Sequence, residues 1–183
     1  MSFIYVPPAT TGATGSLIFL QTLTANNSAT IDLEGIDSTY QNYMVFGSNI
    51  NCAGQTVTCR FKINGTYQTT NYSWAMQILD DASPTSIYSR STSVTTTSIY
   101  LADALTYGNG GFELLLQNPS NTTYNKTIFY KGGGKSQPTN ISSAVGSGTC
   151  TTGTQAVTGL RFLPTYAATF TTGTFTLYGV KQS

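Results

Sequence analysis

The chain has 183 residues and a net charge of +1, and only 8% of its residues are charged, against about 25% in an ordinary soluble domain. This balance excludes the basic surface with which proteins bind nucleic acid or anionic membranes. The abundant Thr, Ser, Asn and aromatic residues predict β-structure in one domain with a sizeable core. Because a surface with so few charges is only weakly repelled by neighbouring molecules, the composition is typical of a protein packed in an assembly.

Residues 1–15 differ in character from the rest of the chain. A short apolar tip is followed by the spacer "PPATTGATG", which has no periodicity and whose prolines cannot continue a strand ladder. We expect an extended N-terminal arm that docks on a neighbouring subunit; a frayed terminus is the alternative. The tip has no basic start and is too short for a signal peptide, and no apolar run reaches the length of a membrane span. The four residues predicted to dock are Phe3, Ile4, Tyr5 and Val6.

From Ser16 onward, short segments of alternating apolar and polar residues are separated by Gly, Asn or Pro, which is the pattern of strands and turns. The stretch 43–46 is apolar at every position and predicts a central strand. Gly54-Gln55 is predicted to turn a hairpin from that strand into residues 57–63, and Asn64-Gly65 marks the next turn. In the segment 57–63 the predicted inward residues are Val57, Cys59, Phe61 and Ile63, and the outward ones are Thr58, Arg60 and Lys62.

The last segment, "GTFTLYGV", alternates in the same way. Phe175 and Leu177 are predicted to face the core from inside a sheet, and residues 174, 176 and 178 to face outward. About ten antiparallel strands predict an all-β fold over residues 16–183, an antiparallel β-sandwich of the jelly-roll type. Patterns for crossover helices are missing from the sequence, which excludes parallel βαβ units.

The chain contains no histidine, which excludes Ser-His-Asp and Cys-His catalysis and nearly every transition-metal site. Cys52, Cys59 and Cys150 are predicted to be free thiols or small core residues. The stretch "KGGGKS", residues 131–136, ends like a phosphate-binding loop, but Phe129 replaces the first glycine and a proline follows closely. We therefore predict a flexible hairpin tip there, and neither a metal nor a cofactor.

Seven carboxylates leave few pairs for acid–base chemistry. Asp32 and Glu34 share one strand face, and Asp37 lies in the following turn. The preferred interpretation is a turn over residues 34–38, in which Asp37 accepts from nearby backbone N–H groups. A Ca²⁺ site and a glycosidase pair are the alternatives. Asp80-Asp81 precedes another turn and receives the same interpretation.

Three aromatic residues, Tyr67, Tyr72 and Trp74, lie close together beside Asn and Gln. If exposed, they are candidates for stacking on the ring of a glycan; the alternative is that Trp74 fills the core. Because Tyr72 and Trp74 fall on one face of a strand, we expect them to be buried together or exposed together.

Several pieces of the chain, in their order and spacing, resemble the small β-sandwich virion proteins of tailed phages, frequent in phages of cyanobacteria. The resemblance spans roughly residues 17–181. The pieces are "LIFLQTLTANNSATIDL", the "IDSTY" turn at Ile36–Tyr40, the turn Asn118-Pro119-Ser120, the strand Leu160-Arg161-Phe162 and the final strand Gly173–Gly179. The resemblance implies a structural role in the particle without a reaction, either in head decoration (cement) proteins or in domains of tail fibres.

These observations together predict a non-enzymatic structural protein of a bacteriophage virion. We expect a capsid decoration protein that binds the outer surface of the shell as an oligomer, a homotrimer, and clamps neighbouring subunits of the major capsid protein. The alternative is a tail-fibre domain that recognises a glycan on the host surface.

Overall fold

Antiparallel β-strands make up the structure, a computed structural model that describes residues 17–52, 54–81, 87–91, 95–102, 110–135 and 140–181. This part of the chain contains thirteen strands and no helix. The predicted arm residues 3–6 lie outside it. The strands are β1 (Leu17–Ser28), β2 (Ile31–Glu34), β3 (Asn42–Asn51), β4 (Val57–Ile63), β5 (Thr66–Tyr67), β6 (Tyr72–Asp80), β7 (Ile87–Ser91), β8 (Ile99–Ala102), β9 (Gly110–Gln117), β10 (Thr127–Lys135), β11 (Ile141–Cys150), β12 (Val157–Pro164) and β13 (Phe170–Val180).

The strands form two sheets. The larger has eight strands in the order β1-β13-β3-β9-β10-β11-β6-β7; the smaller has five, in the order β2-β12-β4-β5, with β8 also paired to β4. Every pairing is antiparallel. This arrangement confirms the predicted all-β sandwich, whereas its jelly-roll connectivity stays a prediction.

One core lies between the two sheets, and aromatic rings from both sheets meet there. Phe162 of β12 lies 5.3 Å from Phe112 of β9 and 5.4 Å from Phe175 of β13, measured between ring centroids. Elsewhere Trp74 of β6 stacks on Tyr100 of β8 at 4.7 Å. In each pair one ring comes from the larger sheet and the other from the smaller sheet. These contacts therefore hold the two sheets face to face.

The alternation predicted for residues 57–63 is confirmed in β4. Its four predicted inward residues are buried, and Arg60 and Lys62 are partly exposed on the outer face. Thr58 is the exception, since it is also buried and its hydroxyl donates to the Leu163 carbonyl at 2.9 Å. The three cysteines are free and buried, as predicted.

The hairpin predicted at Gly54-Gln55 is wrong. Strand β3 pairs with β13 and β9, whereas β4 pairs with β12, β5 and β8 in the other sheet. The turn itself exists, since the Gln55 N–H donates to the Cys52 carbonyl at 3.1 Å and Gly54 has a φ of +83°. Both edges of β3 are already occupied by neighbours, so the chain crosses here from one sheet to the other. The turn at Asn64-Gly65 is confirmed and joins β4 to β5.

The last strand, β13, lies between β1 and β3. Phe175 and Leu177 are fully buried, while residues 174, 176 and 178 face away from the core. The sequence prediction for this strand is confirmed on both faces.

The segment "KGGGKS" is not a hairpin tip in its described part, because β10 continues through Lys135. Residues 131–135 pair with β11, and residues 131–133 also pair with β9. A Cβ on Gly132 would lie 2.8 Å from the Phe112 Cβ and 2.9 Å from the Gly111 carbonyl oxygen. Glycine at residue 132 therefore serves close packing inside a sheet, not a flexible loop.

Candidate interaction surface

An unbroken row of large apolar side chains crosses the outer face of the eight-stranded sheet. The row follows the antiparallel register of five neighbouring strands, so each member lies directly opposite the next. Five strands span about 19 Å at the usual spacing. The row consists of Phe19 on β1, Tyr178 on β13, Met44 on β3, Leu115 on β9 and Phe129 on β10.

Both ends of this row are strongly exposed: Phe19 is 59% accessible and Phe129 is 46% accessible. Between them, the Tyr178 ring meets Phe19 at 6.1 Å and Phe46 at 5.6 Å, both edge to face. The aromatic side chains therefore pack against one another on the outside of the sheet. A connected apolar patch of this kind, unlike scattered surface residues, marks an interaction site.

A second row runs beside the first, two residues further along each strand. It contains Phe46, Glu113, Lys131 and Val145 on neighbouring strands. The Glu113 carboxylate and the Lys131 ammonium form an exposed ion pair at 3.0 Å, while Val145 is 56% accessible. The two charges lie near the middle of the apolar face.

A groove of about 660 Å³ opens next to this second row. Its walls include Phe46, Leu79 and Val145, and Gly111 and Gly133 lie along its length. The two glycines face each other across β9 and β10 and have no side chains to fill the space. The outer face thus combines a raised apolar row with a depression beside it. We call the outward residues of β1, β13, β3, β9, β10, β11 and β6 the broad face.

The other sheet has a different outer face, on which charged side chains are paired. Arg161 of β12 donates from Nε and Nη2 to the two oxygens of Asp32, at 2.7 and 2.6 Å. Its guanidinium carbon lies 4.0 Å from the centroid of the Tyr67 ring, which is a cation–π distance. The hydrogen bond to Asp32 raises the pKa of Arg161, so this cation remains charged.

Glu34 completes the cluster. Lys62 Nζ lies 2.9 Å from both of its carboxylate oxygens, and the Tyr67 hydroxyl donates to Oε1 at 2.7 Å. Burial and then this hydrogen bond raise the pKa of Tyr67. Asp32 and Glu34 are thus engaged in ion pairs with residues of other strands.

The capping interpretation is confirmed for Asp37. Its Oδ1 accepts from the Thr39 backbone N–H at 2.7 Å and from the buried Tyr43 hydroxyl at 2.9 Å. These hydrogen bonds lower the pKa of Asp37, the backbone N–H of Thr39 contributing most. The turn expected after Asp80-Asp81 lies at residues 82–86, outside the described residues. The Asp81 Oδ1 accepts from the Ile141 N–H of β11 at 2.9 Å. In the described part of the chain, no three His, Cys, Asp or Glu side chains lie close enough to hold a metal ion.

The proposed glycan contacts are corrected for two of the three aromatics. Tyr72 is fully buried, and its hydroxyl accepts from the Phe61 N–H at 2.8 Å and donates to the Gln68 carbonyl at 3.2 Å. Trp74 is 8% accessible and stacks on Tyr100. The two are buried together, as their shared face predicted, because their strand face looks into the core. Tyr67 lies at the surface, but the Arg161 guanidinium covers its ring.

The sequence interpretation did not find the broad face. The available signal was the set of strands that are apolar on both sides, such as "NYMVF" in β3 and "ELLL" in β9. In β3 this pattern was interpreted as central placement alone. Central placement in the sheet does not by itself account for the second apolar side, which lies on the outer face of the larger sheet.

Comparisons with known proteins do not assign the chain to a family. No protein-family model matches the chain, and no curated protein matches its sequence. Within the described residues, no helix is long and apolar enough to cross a membrane.

Proposed function

We propose that this chain is a structural protein of a tailed-phage virion that acts without catalysing a reaction. Its role is that of a capsid decoration protein, which binds the outer shell as an oligomer and reinforces contacts between major capsid subunits. The assignment to this class of protein rests on the resemblance in sequence and on the β-sandwich expected from that resemblance. The role in assembly rests on the broad face.

The observation that carries the proposal is the apolar row from Phe19 to Phe129. A free protein gains nothing from a row of large apolar side chains that is strongly exposed at both ends and half-buried between them, because each exposed Å² of apolar surface costs about 25 cal/mol relative to burial. A protein that works inside an assembly recovers this free energy on binding. The charge-poor composition, with 8% charged residues, agrees with this account because little charge opposes association.

The carboxylate contacts also support a non-enzymatic role. Asp32, Glu34 and Glu113 each bind a cation within 3.0 Å, and Asp37 caps a turn. Pairing of this kind engages the carboxylate oxygens and holds each side chain in place. It suits carboxylates that stabilise a surface rather than one that exchanges protons with a substrate.

Heat-induced DNA release from particles of the phage that encodes this chain is the measurement that tests the proposal. Particles assembled without the protein should release their DNA at a lower temperature than complete particles, and adding the purified protein should restore the loss. Phe129→Asp protein should fail to restore it, because a charge would replace an apolar side chain of the broad face. Tyr166→Asp is the matched control: residue 166 is exposed but lies in the turn between β12 and β13, and this variant should restore fully. Equal heat resistance of particles with and without the protein would rule out a cementing role.

A further inference from the structure

We propose that the broad face binds a second copy of this chain, related by a two-fold axis that runs parallel to the strands between β9 and β10. This inference rests on the proposed function in that it names the partner of the same surface. The strand register, the charges, the sizes of the facing side chains and the area of the face support it.

The register determines which residues meet. A two-fold rotation about this axis exchanges the two halves of the sheet, so that β9 lies over β10 of the partner subunit. By the same rotation, β3 lies over the partner's β11, and β13 over the partner's β6. Residues of one cross-strand row face the same row of the partner, because the rotation leaves positions along the strands unchanged.

The charges are complementary under this rotation. Glu113 on β9 and Lys131 on β10 are cross-strand neighbours, so the axis passes between them. Glu113 then faces Lys131 of the partner subunit, and Lys131 faces Glu113 of the partner subunit. Two ion pairs, each already formed at 3.0 Å within a chain, become one group of four alternating charges. Alternating charge fixes the register of an interface.

The sizes of the facing side chains are complementary as well. In the first row the large residues Met44 and Tyr178 lie on β3 and β13. On the opposite half of the same row, β11 and β6 carry the small residues Ser147 and Ala75. The rotation places Met44 over the partner's Ser147 and Tyr178 over the partner's Ala75. At these two positions a large side chain therefore meets a small one, which favours packing of two sheets at about 10 Å. At the centre of the row, Phe129 lies over the partner's Leu115.

The same arrangement places a side chain of one subunit at the groove of the other. In the second row, Phe46 on β3 is brought over the partner's Val145 on β11. Val145 is part of the wall of the groove, and Gly133 lies in it close by. Phe46 of each subunit is thus placed at the groove of the other.

The area of the broad face is sufficient for a specific but weak dimer. The rotation matches six strands of the broad face, from β13 to β6. At about 4.8 Å spacing, and with about 6.6 Å along the strands for each of the two rows and for the groove beside them, these strands cover about 600 Å² on each subunit. The total of about 1,200 Å² lies at the lower limit of stable interfaces. We therefore expect association that depends on concentration in the micromolar range. The unit formed is a dimer, in place of the homotrimer expected from the sequence.

Charge reversal tests the pairing directly. The mass of the full chain in solution is measured by sedimentation over a range of concentrations, for Glu113→Lys and Lys131→Glu separately and then mixed. Each variant alone brings four like charges together and should bind itself at least ten-fold more weakly than the natural chain. The mixture should form heterodimers, because positions 113 and 131 of one variant are then positive and face the negative positions 131 and 113 of the other. The double variant Glu113→Lys/Lys131→Glu should dimerise like the natural chain.

Two controls keep the result interpretable. Tyr166→Asp, which lies away from the broad face, should leave the dimer unchanged, and Phe129→Asp should weaken it. Trp74 is the only tryptophan in the chain, and its unchanged fluorescence in each variant shows that the core is intact.

Several results would overturn the inference. These are a folded chain that stays monomeric at hundreds of micromolar, a trimeric mass, a dimer in which the mixed variants do not pair, or a monomer that dimerises only after residues 1–16 are removed. The last result would assign the broad face to the N-terminal segment. A monomer that still protects particles against heat would refute the dimer and leave the reinforcing role on the shell standing. A dimer that protects no particle would refute the proposed function and leave the dimer standing.

Discussion

At the scale of single residues, Asp37 is the clearest case of a local sequence signal with a definite physical role. The turn "IDSTY" places its carboxylate where it accepts from the Thr39 N–H, while the Tyr43 hydroxyl bonds to the Asp37 carboxylate and accepts from the Asp37 N–H at 3.0 Å. Tyr43 is buried in β3. One carboxylate thus fixes the turn and joins it to the central part of the larger sheet.

Replacing Asp37 by Ala removes the carboxylate acceptor of both hydrogen bonds. Because Asp37 is exposed and the Tyr43 hydroxyl still bonds to the Asp37 carbonyl at 3.2 Å, the free energy of unfolding should fall by about 0.5–1.5 kcal/mol at neutral pH. Asp37→Asn keeps an oxygen acceptor and should cost less. Denaturant titrations of the two variants against the natural chain give these values. Equal losses for both variants would contradict the account.

The same residue predicts a pH dependence. Because the pKa of Asp37 is lower in the folded chain, its ionised form is favoured by folding. This contribution is complete above the pKa of the unfolded carboxyl, about 3.9, and is lost as the pH falls through the lowered folded pKa. The stability difference between the natural chain and Asp37→Asn should therefore shrink below about pH 4. A difference that stays constant down to about pH 2 would contradict the assignment.

Residue pairs show where sequence reasoning stops. The shared face of Tyr72 and Trp74 could be predicted, because side chains alternate along a strand. Which way that face points could not be predicted, because it depends on where β8 brings Tyr100. Likewise, the ion pair between Asp32 and Arg161 joins residues 129 positions apart, and no local pattern indicates it.

At the scale of strands and loops, Lys126 joins two loops at one end of the larger sheet. This lysine is buried, and its ammonium donates to the carbonyls of Tyr124 at 2.8 Å and Thr154 at 2.6 Å. The Thr149 hydroxyl donates to the carbonyl of Lys126 itself at 2.7 Å. These bonds hold the loop before β10 against the loop between β11 and β12.

Lys126→Met should therefore lower the free energy of unfolding by about 2–4 kcal/mol, because two carbonyls lose a charged donor at a buried site. The control is Lys135→Met at the exposed end of β10, which should change stability by less than about 0.5 kcal/mol. Both are compared by thermal or denaturant unfolding in dilute solution. Similar small effects for the two variants would show that Lys126 does not hold the loops together.

Strand existence was largely predictable, and strand pairing was not. The alternation in β4 and β13 reflects burial on one face, which a sequence records directly. The assumption that β3 and β4 pair because they are consecutive was wrong, since the chain crosses between sheets after Cys52. Pairing depends on which edges remain free in the assembled sheet, and β3 has β9 and β13 on its two edges.

At the scale of the whole molecule, the two outer faces have opposite character. The smaller sheet carries a cluster of paired charges around Tyr67, whereas the larger one carries the apolar row beside the ion pair of Glu113 and Lys131. Composition predicts a protein packed in an assembly but does not indicate which surface would form the contact. The candidate surface follows from the register of the larger sheet, which places Phe19 beside Tyr178 and continues across β3, β9 and β10.

Electron cryomicroscopy of the intact phage particle tests the central claim most directly. The account predicts two-sheet density of this size repeated over the head, with the broad face inside a contact between copies of the chain. Density for the sandwich found only along the tail, or a broad face open to solvent in the assembled particle, would contradict it.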